Sequence, residues 1–301
     1  MRADRRLTQA FRNAARVKFD KDSKYVFFSD CHRGDDSVSD EFARNQSIVL
    51  SALKYYYDNQ FTYVEVGDGD DLWEHENFKY IRSAHMDIFT ILKKFFEEKR
   101  FYMIYGNHNI YLKHPKYVRD NYYYFYDEYR ERNERLFYKL RPIESLVLIQ
   151  RESGQKIFVV HGHQGDLLND QLWFISMLAV RYFWRFMHLV GVRNPASPAK
   201  NYFKRHKMER KYTKWLEKHS IMLICGHTHR MKYPRKCDIP YFNTGCCVHT
   251  KGVTTIELVQ NEIALVQWRM MAGEEGEMRI IRKVIHGPDS ISCWYHKKDK
   301  H

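Results

Sequence analysis

The sequence contains no apolar run near the ~20 residues that cross a bilayer, so no transmembrane helix is expected. The opening stretch, MRADRRLTQAFRNAARVKFD, lacks the apolar centre of a secretory signal. No internal repeat is visible, nor any RNP, zinc-finger or helix-turn-helix signature. The six cysteines, Cys31, Cys225, Cys237, Cys246, Cys247 and Cys293, include no CxxC pair. That argues against a disulfide framework and for reduced thiols in a cytoplasmic compartment. Negative charge is in deficit: 50 Lys and Arg face 37 Asp and Glu, a net charge of +13. Anionic partners follow, whether phosphorylated substrates, nucleic acid or acidic lipid. With 301 residues, 44% hydrophobic and 29% charged, the chain can bury a large core in a single domain with room for an insertion.

What is present is a repeated ending. Tyr25-Val26-Phe27-Phe28-Ser29 is a short apolar and aromatic run, read as a buried strand, and it closes on Asp30-Cys31-His32. Alternation along an extended chain would point Asp30 and His32 to one side. Residues 62–66 run into Gly67-Asp68, and 101–105 into Gly106-Asn107-His108. Residues 157–160 run into His161, and 221–225 into Gly226-His227-Thr228-His229. Five such endings predict one polar cluster at one edge of a sheet core.

Between them, 41–58 and 79–99 carry apolar stripes of helical spacing, giving a βαβαβ rhythm and a largely parallel sheet. Residues 1–20 read as a basic, helix-compatible surface segment before the first strand, and 117–140 as an exposed helix or loop. Hairpins are expected across Glu152-Ser153-Gly154-Gln155 and across Asn261-Glu262, so two packed sheets follow. The stretch 167–219 breaks the rhythm as a basic, apolar helical insertion, and 271–301 reads as a loosely attached tail. Two readings of the insertion stand: a helix pair packed on the domain, or a cap that meets an apolar or anionic part of a substrate or touches a membrane surface.

The strand-end groups sum to Asp30, His32, Asp68, Asn107, His161, His227 and His229. This mixed oxygen and nitrogen set suits manganese, iron or zinc better than calcium. Seven groups exceed one tetrahedral site but fit two ions about 3.5–4 Å apart that share a carboxylate and activate water for attack on a phosphate ester.

Taken together, Asp30-x-His32, Gly67-Asp68-x-x-Asp71, Gly106-Asn107-His108, His161 and Gly226-His227-Thr228-His229 resemble, in order, the five signatures of the calcineurin-like metallophosphoesterase superfamily. The resemblance implies an α/β fold, a four-layer αββα sandwich of two mixed sheets. It implies that Asp30, His32 and His229 serve one ion, that Asn107, His161 and His227 serve the other, and that Asp68 bridges. It assigns His108 to protonation of the leaving oxygen. Two divalent ions are implied, manganese first, with iron or zinc as alternatives. Arg33 is the candidate for a phosphate oxygen, against the plainer reading of a surface-loop arginine.

The pattern departs at Asn109, where the family usually carries Asp or Glu. An amide brings no charge to support His108, and spacing leaves Asp71, Asp70 or Asp35 open as substitutes. Asp71 is expected behind the ligands, Asp70 in solvent, and His163 near the site or structural. Cys31 and Cys225 are read as packing residues, and Asn243-Thr244-Gly245 as a turn beside the centre. In layout the chain is similar to the UDP-2,3-diacylglucosamine pyrophosphatases, which also place a basic helical insertion between motifs four and five and carry GHTHR, here Gly226 to Arg230. Their third motif, however, carries Arg where His108 stands. The resulting expectation is a metal-dependent phosphoesterase acting on a phosphorylated small-molecule or lipid-linked substrate, cytoplasmic, with peripheral contact at the inner membrane surface through 167–219. Three rival readings are a protein serine/threonine phosphatase, a nuclease or other nucleic-acid-binding phosphodiesterase, and a non-catalytic scaffold.

Overall fold

Neighbouring residues of the first motif strand serve different cores. Val26 and Phe28 pack with helices, while Tyr25 and Phe27 pack toward a second sheet. That two-residue period requires apolar layers on both faces, which is why the run reads as continuously hydrophobic. The computed structural model describes residues 2–166, 169–170, 173–184 and 202–294. In chain order the elements are α1 (Arg2–Asn13), β1 (Ala15–Phe19), β2 (Lys24–Phe28), α2 (Gln46–Asp58), β3 (Thr62–Val66), α3 (Phe78–Ala84), α4 (Met86–Glu97), β4 (Phe101–Ile104) and α5 (Pro115–Tyr122). A small hairpin of β5 (Tyr124–Asp127) and β6 (Arg132–Arg135) follows, then β7 (Ser145–Gln150), β8 (Lys156–Val160), α6 (Trp173–Leu178) and α7 (Tyr202–Leu216). The chain closes with β9 (Met222–Cys225), β10 (Tyr241–Asn243), β11 (Val253–Val259), β12 (Glu262–Ala272) and β13 (Met278–Ser290).

One sheet runs β1-β7-β8-β9-β10 and the other β13-β12-β11-β2-β3-β4. Both are mixed: β2, β3 and β4 are parallel, whereas β11 is antiparallel to β2 and β7 to β8. Phe27, Val64 and Ile104 of one sheet meet Leu148, Val159 and Ile224 of the other in the central layer. Truncating one such aromatic, Phe27→Ala, would cost roughly 3–5 kcal/mol. Helices α2, α3 and α4 cover the outer face of the larger sheet, and α1 and α7 that of the smaller. The architecture is the expected αββα sandwich. β2, β3 and β4 are neighbours, as are β8 and β9, so all five motif strands deliver their carboxyl ends to one rim.

Several local expectations change. The 79–99 helix is two helices that meet at His85, whose ring is drawn inward by Asp40 and Gln46, each at 2.7 Å. The helix-compatible stretch 1–20 is not all surface: α1 is buried through Ala3, Leu7 and Ala10, and it leads into an edge strand, β1, parallel to β7. Residues 117–140 add the β5–β6 hairpin. The expected loose tail from 271 is instead largely strand: β13 pairs along β12 at the sheet edge, and Ile291 and Trp294 are buried. Arg282 of β13 holds the buried Glu257 with Nε to Oε1 at 2.8 Å. Charge and a Gly-Pro step hid a strand whose edge faces water. Of the 167–219 insertion, the described parts are α6 with its π-helical continuation Ala179–Trp184 and the fifteen-residue α7; the rest, like 295–301, lies outside the described residues. Among the described residues no helix is long and apolar enough to cross a membrane.

Candidate metal centre

The ligands that follow β2, β3 and β9 sit in left-handed rather than extended backbone. Asp30, His32, Asp68, His227 and His229 all have positive φ, between 48° and 66°. Such left-handed conformations cost a non-glycine residue about 1 kcal/mol or more, and they persist where surroundings over-determine them. The alternation argument for Asp30 and His32 is therefore replaced: left-handed backbone, not an extended strand, aims both side chains. The turns are tied to one another. Asp30 N donates to Gly67 O at 3.1 Å, His32 N to Asp68 O at 2.9 Å and Arg33 N to Gly69 O at 2.9 Å.

Two glycines permit the close approach. A Cβ on Gly106 would collide with the Asp68 carboxylate, and one on Gly226 with that of Asp30. A glycine of one motif thus houses the ligand of another.

Donor atoms of Asp30, His32 and His229 gather within 4.8 Å of one another, as do those of Asp68, His161 and His227. His229 Nε2 lies 3.1 Å from Asp30 Oδ1 and 3.2 Å from His32 Nε2. His161 Nε2 lies 3.0 Å from Asp68 Oδ2 and 3.2 Å from Asn107 Oδ1. The same Asp68 oxygen is 4.0 Å from His32 Nε2, so it stands between the two groups. Its other oxygen accepts the His108 backbone N–H at 2.8 Å.

Polar supports fix the set. His161 Nδ1 meets Val66 O at 2.9 Å, leaving Nε2 for the centre. His227 N donates to Asp30 Oδ2 at 2.9 Å, and Ser29 Oγ also donates to that oxygen. Thr244 Oγ1 lies 2.5 Å from Ser29 Oγ, and Asn243 Nδ2 donates to Gly226 O at 2.7 Å, which gives the Asn243-Thr244-Gly245 turn its place beside the site. Such outer partners orient ligands and hold their tautomers.

Burial alone would raise the Asp30 carboxyl, but the facing His229 and His32 bring it well below the usual range. Burial opposes charge on His229, yet Asp30 raises its pKa to about 10. Burial lowers His227, and drives His163 well below the ordinary imidazole value.

The residues fit divalent cations. Among the described residues the buried His227 Nε2 has no hydrogen bond, its Asp166 neighbour standing 3.9 Å away, and two imidazole nitrogens confront each other at 3.2 Å. A cation resolves both. A third convergent group, His32, Asp71 and His108, reads differently. Asp71 Oδ2 lies 3.2 Å from His32 Nδ1 and Oδ1 lies 2.9 Å from His108 Nδ1, hydrogen-bond distances of a carboxylate that orients two imidazoles.

That answers the question left by Asn109. Asp71 supports His108, while Asp35 lies 3.1 Å from His75 Nδ1. Asn109 Oδ1 instead accepts from Gly106 N at 2.7 Å and shapes the turn. Asp70 is not solvated: it is buried against Arg33 Nε at 2.7 Å and the Tyr122 hydroxyl at 2.7 Å. Arg33 is 1% exposed, and its Nη2 pairs with Glu65 Oε2 at 2.9 Å. An internal ion pair thus takes the place of the expected phosphate contact. His163 is buried behind His161, ring centroids 5.5 Å apart. Cys31 Sγ turns to Cys247 Sγ at 3.3 Å, and Cys225 is buried. Trp73, which sequence reasoning did not single out, stacks on His108 at 4.3 Å; an aromatic after a metal loop carries no signal of its own.

A family model described as calcineurin-like phosphoesterase matches residues 23–231, a span holding all five motifs. No curated protein matches the sequence. Among solved structures, vacuolar protein sorting 29 from Cryptosporidium parvum is similar at 12% identity, covering 88% of this chain and 98% of that one, TM-score 0.38. A cold-active protein-tyrosine phosphatase of a psychrophilic Shewanella species is similar at 14% identity, covering 87% and 81%, TM-score 0.40. A putative 5'-nucleotidase from Staphylococcus aureus is similar at 12% identity, covering 89% and 55%, TM-score 0.34.

Proposed function

The chain belongs to the calcineurin-like phosphoesterase family, and from that premise we propose that it is a two-metal hydrolase of a lipid-linked or nucleotide-diphosphate substrate. One observation carries the reading: Asp68 Oδ2 lies 3.0 Å from His161 of one donor group and 4.0 Å from His32 of the other. Asp30, His32 and His229 would hold one divalent ion, Asn107, His161 and His227 the second, with Asp68 between. The oxygen and nitrogen donors favour manganese, with iron or zinc next. Bound there, the ions supply Lewis acidity toward phosphoryl oxygens and a lowered pKa for water.

The chain's own residues do the rest. Asp71 holds His108 Nδ1, which leaves Nε2 to give a proton to the departing oxygen. The left-handed turns fix the donors before any ligand arrives. The choice of substrate rests on the insertion. Phe174, Ile175, Leu178 and Tyr182 of residues 173–184 are 45–70% exposed, an apolar face beside Arg181 that suits an acyl chain or the inner membrane surface. The net charge of +13 suits an anionic substrate.

The test is a turnover screen on manganese-reconstituted protein with phosphomonoesters, phosphodiesters, nucleotide diphosphates and lipid-linked phosphates, with Asp68→Ala as the blank. Turnover best on a lipid-linked or nucleotide diphosphate supports the proposal. Preference for simple phosphomonoesters or phosphodiesters overturns the substrate assignment, and no metal-dependent turnover on any class overturns the hydrolase itself.

A further inference from the structure

The helix 173–184 lies across both loops that frame His108. On one side Arg181 Nε donates to Trp73 O at 3.1 Å, Nη2 donates to Leu72 O at 3.0 Å, and Nη1 pairs with Glu76 Oε2 at 3.2 Å. All three guanidinium nitrogens therefore serve the loop 72–76, and the side chain is only 10% exposed. On the other side Tyr111, just beyond His108, donates from its hydroxyl to Met177 Sδ at 2.8 Å. Its ring stands edge-on to Trp173 at 5.6 Å.

Trp73 is the link to the chemistry. It is 2% exposed, and its ring lies on that of His108, centroids 4.3 Å apart and planes 25° from parallel. Its indole Nε1 has no hydrogen-bond partner among the described residues, so packing and the grip on its carbonyl fix the ring. Asp71 holds His108 by one edge and the His32 ring stands edge-on at 4.5 Å, so the Trp73 indole is the group that covers the face of the imidazole. A flat aromatic neighbour fixes the plane of the imidazole.

We propose that Arg181 is a positioning residue: by clasping the carbonyls of Leu72 and Trp73 it keeps the indole on His108 and so aims the imidazole at the leaving oxygen. The inference rests on the reading of His108 as proton donor. In the step it serves, the oxygen of water bonds to phosphorus while the electron pair of the breaking P–O bond stays on the departing oxygen. That oxygen takes the Nε2 proton, leaving an alcohol and a neutral imidazole. A good leaving group such as nitrophenolate departs without the proton, whereas an alkoxide does not. The insertion is thereby more than a wall for substrate: its seating on the loop 72–76 reaches the reacting atoms through one ring.

The experiment compares nitrophenyl and alkyl esters of one phosphate on the metal-loaded full chain, for wild type, Arg181→Ala, Arg181→Lys and His108→Ala. Lysine keeps the charge but not the fork that spans two carbonyls. Both Arg181 variants are expected to lose about tenfold more kcat on the alkyl ester than on the nitrophenyl ester. Bound metal, measured by elemental analysis, should not change. A second readout needs no turnover. In metal-free, histidine-labelled protein the His108 ring resonances, identified by their loss in His108→Ala, are displaced by the Trp73 ring current. They should move toward exposed-histidine positions in both Arg181 variants. Equal losses on the two esters with unmoved His108 resonances overturn the proposal. If His108→Ala itself does not discriminate between the esters, the proton-donor reading falls, and the resonances still decide what Arg181 holds.

Discussion

Asp71 accepts the Nδ1 proton of His108 across 2.9 Å, and its second oxygen lies 3.2 Å from His32 Nδ1. One carboxylate thus steadies both the proposed acid and a proposed metal ligand. Substitutions at Asp71 and His108 should separate the two duties.

His108→Ala should keep its metal and lose roughly 10²–10⁴-fold in kcat, the usual worth of a positioned proton donor. Asp71→Asn removes the support of both rings, so metal affinity should also fall, by roughly 10–100-fold. Turnover and elemental analysis on the same preparations check this. A His108→Ala variant as active as wild type would remove the residue from the mechanism.

Asp68→Ala deletes the oxygen that stands between the two donor groups. Turnover should vanish and manganese content should fall, both read after loading and desalting. An unchanged metal content would show that Asp68 is not a shared ligand.

Arg33 is a structural matter. Its partners Glu65 and Asp70 are fully buried, and Arg33→Met would leave both without a cation. The loss should be roughly 3–5 kcal/mol in urea unfolding of the metal-free protein. Arg119, paired with Asp120 on the surface, is the control: Arg119→Ala should cost at most about 1 kcal/mol. Equal effects would refute the burial argument.

Acid should find Asp40. Burial would raise this carboxyl, but His85 at 2.7 Å, together with the N–H groups of Asp36 and Ala43, lowers it instead. His75 is the other titratable group close by, its Nε2 sharing the space beside Gly34. A depressed folded pKa contributes stability present above the unfolded value of 3.8 and lost as pH falls through the folded one. Asp40→Asn should therefore lower stability at pH 6 and flatten its decline below pH 4, followed by thermal unfolding across that range.

The candidate donor residues were legible in the sequence because each motif strand is an apolar run that stops abruptly on polar residues. Two buried faces leave no alternation to confuse the reading. The sheets and both large hairpins were legible for the same reason. β1 and β13 were not, because edge strands such as Arg16-Val17-Lys18 carry charge toward water and look like surface. The fate of Arg33 and Asp70 was hidden for another reason. Whether a loop charge is buried depends on Glu65 and Tyr122, which no local spacing reveals. The left-handed turns were equally invisible, since non-glycine residues in that region have no sequence signature.

The glycines of motifs three and five have a last consequence. Gly106 gives Asp68 its room and Gly226 gives Asp30 its room, so loops distant along the chain share volume like pieces of an interlocking joint. A methyl group added at either position would displace a donor that belongs to a different loop. Injury to one motif therefore spreads to its neighbours, and the centre should be gained or forfeited whole rather than eroded ligand by ligand.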